Sequence, residues 1–392
     1  MSCLFPDFDG STKMNDTAYP AGKVLVTGGA GFIGSHTVDL LLKRGYQVKI
    51  LDSLAEPTHH LKQKPAYIPK EAEFIQGDVR DKACVSRALE GVAYIFHFAA
   101  YQDYLTDFSK FFTVNSGGTA LLYEVIVENN LPVGKVVVAS SQSVMGEGAY
   151  RCNGCARNFF PDIRSDRALK RKKWEHTCPD CHRGLDWLQS SETVASPRNQ
   201  YALSKYSQEM ISLNLGRRYG IPTCALRYSI VQGPRQSFFN AYSGACRVFC
   251  LNLYFNRAPE IFEDGKQVRD YVNIEDVLQA NLLALEDKRT DYQVFNIGGG
   301  RPYTIMDLAE TAISEFSKDC APDVTGKYRF GDTRHIFSDI SKMKKLGWYP
   351  EHSPRKSLSD YRNWLYRQQD VENTLDLARK EMNAQKVIRS VI

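Results

Sequence analysis

Three side chains in the middle of the chain have the types and spacing for proton transfer at a hydroxyl group. Tyr201 and Lys205 are four residues apart in a segment predicted to open a helix, so they share one helix face. An ammonium group beside a phenol favours the phenolate, and moving a tyrosine pKa from ~10 to about 7 requires roughly 4 kcal/mol. Ser141 ends an apolar run and offers a hydroxyl at a position suited to chemistry. The alternatives are a surface Tyr/Lys pair and a serine-rich turn.

Four of the ten cysteines form a second group with a recognisable spacing. Two Cys-x-x-Cys pairs are separated by twenty-two residues, and each pair can bring two sulfurs to one tetrahedral ion. We expect a structural zinc site with no open coordination position. A redox dithiol pair and unconnected cysteines are the alternatives, and His182 could replace one cysteine. The predicted ligands are Cys152, Cys155, Cys178 and Cys181.

The elements that must position this chemistry begin with residues 22–52. A short apolar run is followed by the turn Gly28–Gly34, an amphipathic segment, and a second apolar run that ends at Asp52. Glycines permit the tight turn and the close approach of a pyrophosphate, which the helix N-terminus then faces. A carboxylate at Asp52 would accept hydrogen bonds from a ribose 2′-hydroxyl and repel a 2′-phosphate, so NAD is favoured over NADP. A glycine turn used only for packing is the alternative.

Strand and helix patterns alternate along the rest of the chain. Strand-like runs at 73–76, 93–98 and 135–139 are separated by helical patterns at 82–89 and 111–129. This alternation predicts an α/β fold with a Rossmann-type doubly wound parallel sheet. Asp78 would lie at the C-terminal end of a strand, as an adenine contact or as a helix N-cap. Further helices are expected near 304–316 and, as one long amphipathic helix, near 358–380.

Composition limits the class of protein. The chain has 392 residues, 43% hydrophobic residues and a formal net charge of +5, as a soluble globular protein does. The charge is mild and spread out, so we expect no nucleic-acid partner. Residues 1–22 read as a loose polar extension, and no apolar run reaches the ~20 residues of a membrane span. We therefore expect no membrane partner and a cytoplasmic location, where thiols stay reduced.

Taken in chain order, these motifs resemble the extended short-chain dehydrogenase/reductase family, and more narrowly its NAD-dependent nucleotide-sugar epimerases and dehydratases. The resemblance covers about Lys23 to Pro350, apart from one insertion, and UDP-glucose 4-epimerases are the nearest type. Further motifs that carry it are Gly77-Asp78-Val79, His97-Phe98-Ala99-Ala100, Leu226-Arg227-Tyr228, Arg269-Asp270-Tyr271-Val272, Asn296-Ile297-Gly298-Gly299 and Gly331-Asp332-Thr333-Arg334-His335.

The resemblance implies a domain organisation and a set of site residues. The implied units are a flexible extension at 1–22, an NAD domain at 23–230 with a zinc insertion at 148–192, a smaller α/β substrate domain at 231–370 that is interleaved with the NAD domain, and a C-terminal helix or tail at 371–392. The implied NAD contacts are Gly28, Gly31, Phe32, Ile33, Gly34, Asp52, Asp78, Val79, Phe98, Ala99, Ala100, Asn115, Tyr201 and Lys205. The implied contacts with a nucleotide-diphosphate sugar are Ser141, Gln142, Arg269, Arg329 and Asp332. Members of this family often form homodimers.

The implied reaction is 4-epimerisation. Tyr201 would remove the proton of the sugar 4-hydroxyl, Ser141 would hydrogen-bond the same oxygen, and Lys205 would lower the tyrosine pKa and bind the nicotinamide ribose. Dehydratases use an acid and a base where this chain has Gln142 and Ser143, and these two cannot perform that step. Another nucleotide-sugar oxidoreductase or a dehydratase stays open as an alternative. So does a nucleotide-sensing protein that uses the zinc loop for partner contacts.

Three departures from the family pattern affect the substrate side. Met145 and Ile230 replace a family tyrosine and a family asparagine, and the third departure is the cysteine insertion. Because the insertion lies between Ser141 and Tyr201, we expect it beside the cleft as a rim or lid. Its basic run, Lys170–Lys173, reads either as a solvated loop or as a clamp on an anionic substrate or partner. The sequence names neither the sugar nor its base.

Overall fold

The computed structural model describes residues 22–103, 105–238, 244–369 and 371–392. The strands in this part are β1 Lys23–Thr27, β2 Gln47–Asp52, β3 Glu73–Gln76, β4 Val92–His97, β5 Lys135–Ser141, β6 Ala149–Cys152, β7 Arg157–Phe159, β8 Asp186–Leu188, β9 Thr223–Tyr228, β10 Ile230–Gln232, β11 Glu260–Ile261, β12 Val268–Asn273, β13 Gln293–Ile297, β14 Pro302–Thr304, β15 Asp323–Val324, β16 Tyr328–Arg329 and β17 Ile388–Arg389.

The α-helices alternate with these strands. They are α1 Phe32–Lys43, α2 Lys82–Leu89, α3 Phe108–Phe111, α4 Gly118–Glu128, α5 Asp166–Lys170, α6 Gln200–Tyr219, α7 Ala245–Tyr254, α8 Ile274–Glu286, α9 Ile305–Glu315, α10 Ser341–Lys344, α11 Pro354–Leu365 and α12 Leu375–Ala384. A π-helical turn, Phe112–Gly117, joins α3 to α4, and short 3₁₀ segments occupy Gln142–Met145 and Lys288–Thr290. Among the described helices, none combines the length and apolarity that a bilayer crossing needs.

A seven-stranded parallel sheet forms the larger part of the fold. Its order is β13-β9-β5-β4-β1-β2-β3, and every neighbouring pair is parallel. Consecutive residues such as Val24–Val26 and Val136–Val138 are fully buried, because helices cover both faces. Helices α1 and α8 pack on one face, and α2 and α4 pack on the other. The strand order reverses between β1 and β4, where a ligand crevice opens at the carboxyl ends. The predicted doubly wound sheet is confirmed.

A smaller unit is interleaved with the sheet along the chain. Strands β10, β12 and β14 form a three-stranded sheet, and helices α7, α9 and α11 pack beside it around a core that includes Leu251, Leu308 and Tyr361. The insertion adds an antiparallel sheet of order β7-β6-β8, with a core of only a few residues that includes Tyr150 and Cys178. The precise domain boundaries stay a prediction.

Two predicted elements differ from the structure. The long helix expected at 358–380 is wrong, because α11 ends at Leu365 and α12 begins at Leu375. Polar residues fill 367–370, so the apolar face that holds α11 in the core ends there. The N-cap alternative for Asp78 is also wrong, because the side chain of Asp81 accepts hydrogen bonds from the first turn of α2.

Candidate active site

The candidate site is a cleft of about 940 Å³ that runs from the glycine turn to the smaller unit. This volume is at the upper end of the roughly 300–1,000 Å³ of ligand pockets. Asn115 does not line the cleft, but the other predicted cofactor and substrate residues do, namely Gly28, Gly31, Phe32, Ile33, Gly34, Asp52, Asp78, Val79, Phe98, Ala99, Ala100, Ser141, Gln142, Tyr201, Lys205, Arg269, Arg329 and Asp332.

The glycine turn has no room for side chains at two positions. Gly28 has φ +69°, and a Cβ there would lie 2.7 Å from the backbone N of Ala99. A Cβ on Gly34 would lie 2.2 Å from the carbonyl O of Gly28. At Gly31 the added Cβ would meet only the carbonyl O of Gly28, at 3.3 Å, so its outer side is open to the cleft. This shape, with the N-terminus of α1 behind it, fits a dinucleotide pyrophosphate.

Asp52 is fixed at the end of β2 by two backbone donors. Its Oδ2 accepts from Ala30 N and its Oδ1 accepts from Leu54 N, both at 2.9 Å. Each oxygen keeps a second lone pair for a ribose hydroxyl. The ring of His59 lies 3.8 Å from Oδ1, and burial lowers its pKa, so it brings no fixed positive charge for a 2′-phosphate. Asp52 therefore fits NAD.

Asp78 lies further along the same edge of the sheet. Its carboxylate accepts from Arg80 Nε at 2.9 Å and from Arg80 Nη2 at 2.6 Å, and these bonds lower the pKa of Asp78. The carboxylate is therefore ionised, and both residues line the cleft. An adenine contact at Asp78 remains a prediction.

The three catalytic candidates meet at the base of the cleft. Ser141 ends β5, and Tyr201 is the second residue of α6, which begins after Asn199 caps the Ala202 N–H at 2.8 Å. Burial raises the pKa of Tyr201 to about 12, and a hydrogen bond with Ser141 offsets part of this rise. Burial lowers the pKa of Lys205, one turn further on α6, to about 7. The structure thus brings the three residues together, and their catalytic roles remain a prediction.

A buried chain of polar groups extends behind Lys205. The Lys205 ammonium donates to Gln208 Oε1, and Gln208 Nε2 donates to Thr119 Oγ1 at 3.0 Å. Thr119 donates its own proton to the Asn115 carbonyl at 2.6 Å, so its oxygen must accept from His97 Nε2 at 2.9 Å. His97 Nδ1 then accepts from Thr27 Oγ1 at 2.8 Å. Burial lowers the pKa of His97 to about 3, so the ring stays neutral and this hydrogen-bond polarity is fixed.

Asn115 has a structural role in this arrangement. It lies fully buried in the π-helical turn, where its Oδ1 accepts from Tyr101 N at 2.7 Å. Its Nδ2 donates to the Tyr101 carbonyl at 3.0 Å and to Ser204 Oγ at 2.9 Å. Both ends of the amide are thus engaged by protein groups, which explains why Asn115 does not line the cleft.

The substrate candidates are held in place by hydrogen bonds within the protein. Gln142 Nε2 donates to Ser338 Oγ at 2.7 Å and to Ser229 Oγ at 3.1 Å. The Arg269 guanidinium donates to three backbone carbonyls, of Val268, Thr333 and Arg334. Arg329 donates through Nε to Asp332 Oδ2 at 3.0 Å.

The four predicted metal ligands converge. All four sulfur atoms lie within 4.8 Å of one another, with Cys152 and Cys181 at 3.4 Å and Cys155 and Cys178 at 3.8 Å. A tetrahedral zinc ion with Zn–S bonds of ~2.3 Å separates its sulfurs by about 3.8 Å. The donor set therefore fits zinc.

The insertion lies beside the cleft and does not line it. In the described part of the chain, no residue of 148–192 lines the cleft. Arg164 forms a buried bidentate pair with Glu263, at 2.8 Å for each bond, and donates to the Asp332 carbonyl. Arg334 is fully buried and joins Glu263 to Glu175 of the insertion. This shared charge network holds the insertion beside the cleft, against 263–264 and 332–335, but a rim or lid that lines the cleft is not supported.

The basic run of the insertion is likewise outside the cleft lining. Lys170 forms an ion pair with Asp166 at 2.9 Å, and its carbonyl accepts from the N–H of Ile392 at 3.0 Å. A clamp on a substrate in this cleft is therefore not supported.

Sequence reasoning missed several residues that line or support the cleft. Gln208 follows Lys205 by three residues, a spacing that could have indicated contact on the helix. Arg247 enters from α7, and Arg379 and Ile388 enter from the C-terminal tail. Their sequence neighbourhoods carry no motif, because tertiary packing alone brings them there.

Comparison with known proteins places these motifs in a family. Residues 24–158 and 177–298 match the family model described as the NAD dependent epimerase/dehydratase family. The unmatched stretch between these segments falls inside the insertion.

Several similar proteins are named as 4-epimerases. The chain is 29% identical to a dTDP-L-rhamnose 4-epimerase of Burkholderia thailandensis, over 92% of this chain and 100% of that protein. It is 31% identical to a putative UDP-glucose 4-epimerase of Methanocaldococcus jannaschii, over 87% and 98%. The crystal structure of a UDP-glucose 4-epimerase of Thermotoga maritima with UDP-glucose superposes with a TM-score of 0.72 at 29% identity, over 88% and 98%.

A structure that was solved with NAD is also similar to this chain. The UDP-glucose 4-epimerase of Thermus thermophilus, solved in complex with NAD, has a TM-score of 0.68 at 27% identity and covers 88% of this chain. The family match spans more than half of the sequence. The chain belongs to the NAD-dependent epimerase/dehydratase family.

Proposed function

We propose that the protein is an NAD-dependent nucleotide-sugar 4-epimerase. The observation that carries the proposal is the hydrogen-bonded pair of Ser141 and Tyr201, with Lys205 one turn further, at the base of a cleft that contains a dinucleotide turn. The names of the similar proteins support a nucleotide-diphosphate sugar as substrate. They do not agree on one sugar, so the proposal stops at this class.

The residues would divide the reaction between them. The Tyr201 phenolate would take the proton of the sugar 4-hydroxyl, and the Ser141 hydroxyl would hold the same oxygen in line. The Lys205 ammonium, held by Gln208, would favour the phenolate. Bound NAD supplies a hydride acceptor and donor at C4. Return of hydrogen to the opposite face of the 4-keto sugar inverts that carbon.

Two alternatives are less well supported. A dehydratase needs an acid and a base near C5 and C6, whereas Gln142 is a buried amide that donates to two serines. A nucleotide-sensing protein would not need a buried Tyr–Lys pair. A net oxidoreductase would release reduced cofactor during turnover, and this is measurable.

We also propose a structural zinc ion at the cysteine cluster. The support is the separation of the four sulfurs and the small core of the insertion, which cannot hold a fold of this size alone. Four thiolates leave no open coordination position, so the ion would take no part in the reaction.

We also propose an oligomeric state and a cellular location. A homodimer is supported by exposed apolar side chains on neighbouring helical segments, namely Phe112, Leu203 and Met210. A cytoplasmic location is supported by the nine described cysteines, none of which forms a disulfide.

The test of the proposed function is direct. Purified protein is incubated with UDP-, dTDP-, GDP- and CDP-sugars, and the products are examined for inversion at C4. We expect inversion of at least one sugar without accumulation of NADH, and loss of turnover in Tyr201→Phe with NAD still bound. Unchanged turnover of that variant would refute the assigned chemistry, and steady release of NADH would favour the oxidoreductase.

A further inference from the structure

Arg247 is a buried cation without a buried anion beside it. It lies in the first turn of α7, lines the cleft, and exposes 1% of its surface. Its Nη1 donates to the Phe238 carbonyl at 2.6 Å, and its Nε has no hydrogen-bond partner. Within the described residues, no carboxylate lies within 4 Å of its guanidinium. A buried charge left in this state is costly, and proteins normally pair it.

The other buried arginines of the described chain are satisfied in a different way. Arg227 forms a bidentate pair with Glu209, as Arg164 does with Glu263. Arg334 has three carboxylate partners, and Arg269 donates three hydrogen bonds to carbonyls. Arg247 therefore differs from the structural pattern that this protein uses elsewhere.

The surroundings of Arg247 suit an anion. The N-terminus of the ten-residue helix α7 opens at Gly244 without a side-chain cap, and Gly244, Ala245 and Val248 line the cleft beside Arg247. Free N–H groups at such a terminus attract negative charge. Two acidic groups at this end of the cleft already have cationic partners, whereas Asp323 lines it without an ion pair to any described residue. Asp376 pairs with Arg257, and Glu260 pairs with Lys327 and Arg379.

We propose that Arg247 and the N-terminus of α7 bind an oxyanion of the substrate. This inference rests on the proposed function, because it takes the substrate to be a nucleotide-diphosphate sugar. Two groups have the required chemistry, a phosphate of the diphosphate and a carboxylate on the sugar ring. Either one would supply the counter-charge that the folded chain does not provide.

The experiment compares Arg247→Gln, Arg247→Lys and the surface control Arg157→Gln, all as NAD-loaded protein. Calorimetry measures the binding of UDP, UDP-glucose and UDP-glucuronic acid, with the dTDP compounds used if the wild type prefers that base. Loss of a charge-assisted hydrogen bond should weaken binding by at least about tenfold in Arg247→Gln. Arg247→Lys should retain part of the affinity, and Arg157→Gln should bind as the wild type does.

The pattern of losses identifies the oxyanion. An equal loss for UDP and both sugars assigns a phosphate, whereas a loss confined to UDP-glucuronic acid assigns the sugar carboxylate. Wild-type affinity of Arg247→Gln for all three compounds would overturn the inference. If that variant does not fold, Arg247→Met replaces it, and wild-type affinity of Arg247→Met for all three compounds would overturn the inference. Failure of the wild type to bind any nucleotide would instead refute the proposed function.

Discussion

At the residue scale, burial opposes the charged forms that proton abstraction needs. It raises the pKa of Tyr201 to about 12 and lowers the pKa of Lys205 to about 7. Two hydrogen bonds partly offset these effects of burial. Ser141 donates to the phenol oxygen of Tyr201, and Gln208 accepts from the ammonium group of Lys205. A cationic ring bound in the same low-dielectric site would shift the balance further toward the phenolate.

Gln208 is therefore expected to act as a positioning residue. Gln208→Leu removes the acceptor that stabilises the Lys205 ammonium, so the apparent pKa of Tyr201 in the loaded enzyme should rise. We expect kcat near pH 7 to fall about tenfold and the acidic limb of the pH–kcat profile to move to higher pH. The control is Ser212→Ala, which loses a buried hydrogen bond on the same helix. A uniform loss of kcat at every pH would mean that Gln208 is only structural.

Lys205 should also reduce the stability of the fold, with a defined pH dependence. Its folded-state pKa of about 7 lies below its ordinary value of 10.5. The unfolded chain thus binds more protons between these values, and stability rises with pH across that window. We expect Lys205→Met to raise the free energy of unfolding by a few kcal/mol at or below pH 7, with a gain that fades toward pH 10.5.

Urea unfolding of nucleotide-free protein at several pH values measures this gain. The control is Lys135→Met, which breaks a buried ion pair with Asp291 and should destabilise the protein. A Lys205→Met variant less stable than the wild type at pH 7 would contradict the argument.

At the scale of elements, the insertion is a brace on the outside of the substrate cleft. Its own core is small, and it is attached to the rest of the protein by the apolar packing of Leu169 and Trp174 and by the buried network of Arg164, Glu263 and Arg334. That network lies directly behind Asp332 and Arg269, because Arg164 donates to the carbonyl of Asp332 and Arg269 to that of Arg334. A metal-held loop would therefore stabilise the substrate side of the cleft from a distance.

Removal of the proposed metal should weaken the substrate side of the cleft. We expect one zinc ion per chain in the wild type and none in Cys178→Ser. The substitution should also lower the melting temperature, and it should raise KM for the nucleotide sugar more than it lowers NAD content. Elemental analysis, thermal unfolding and steady-state kinetics provide the measurements. Cys320→Ser is the matched control, because Cys320 is exposed and outside the cluster. Wild-type protein without stoichiometric zinc would contradict the proposal.

At the scale of the whole molecule, the sequence predicted what local motifs encode. The glycine turn, Asp52 and the Tyr201–Lys205 pair follow from short-range spacing within single strand–turn–helix units, and the structure brings them to one cleft. The position of the insertion depends on charges far apart in sequence, which only tertiary packing brings together. Arg247 reaches the cleft only through the packing of α7. The prediction of one long C-terminal helix was wrong, because polar residues interrupt the apolar face between α11 and α12.

The C-terminal tail gives a prediction at this scale. Strand β17 pairs with β16, which carries Arg329, and the last residue is hydrogen-bonded to the insertion. Deletion of residues 386–392 should loosen Arg329 and weaken binding of the nucleotide sugar by about tenfold, equivalent to ~1.4 kcal/mol. NAD content should stay unchanged, because the glycine turn lies at the other end of the cleft. Equal loss of NAD and substrate would instead indicate general unfolding.

The most direct test of the mechanism follows the hydrogen atom at C4. The nucleotide sugar that the panel identifies is prepared with deuterium at C4 and converted in ordinary water by the wild-type enzyme. We predict that the inverted product retains the deuterium at C4, because the atom leaves and returns within one closed site. Replacement of that deuterium by solvent hydrogen would contradict the proposed reaction.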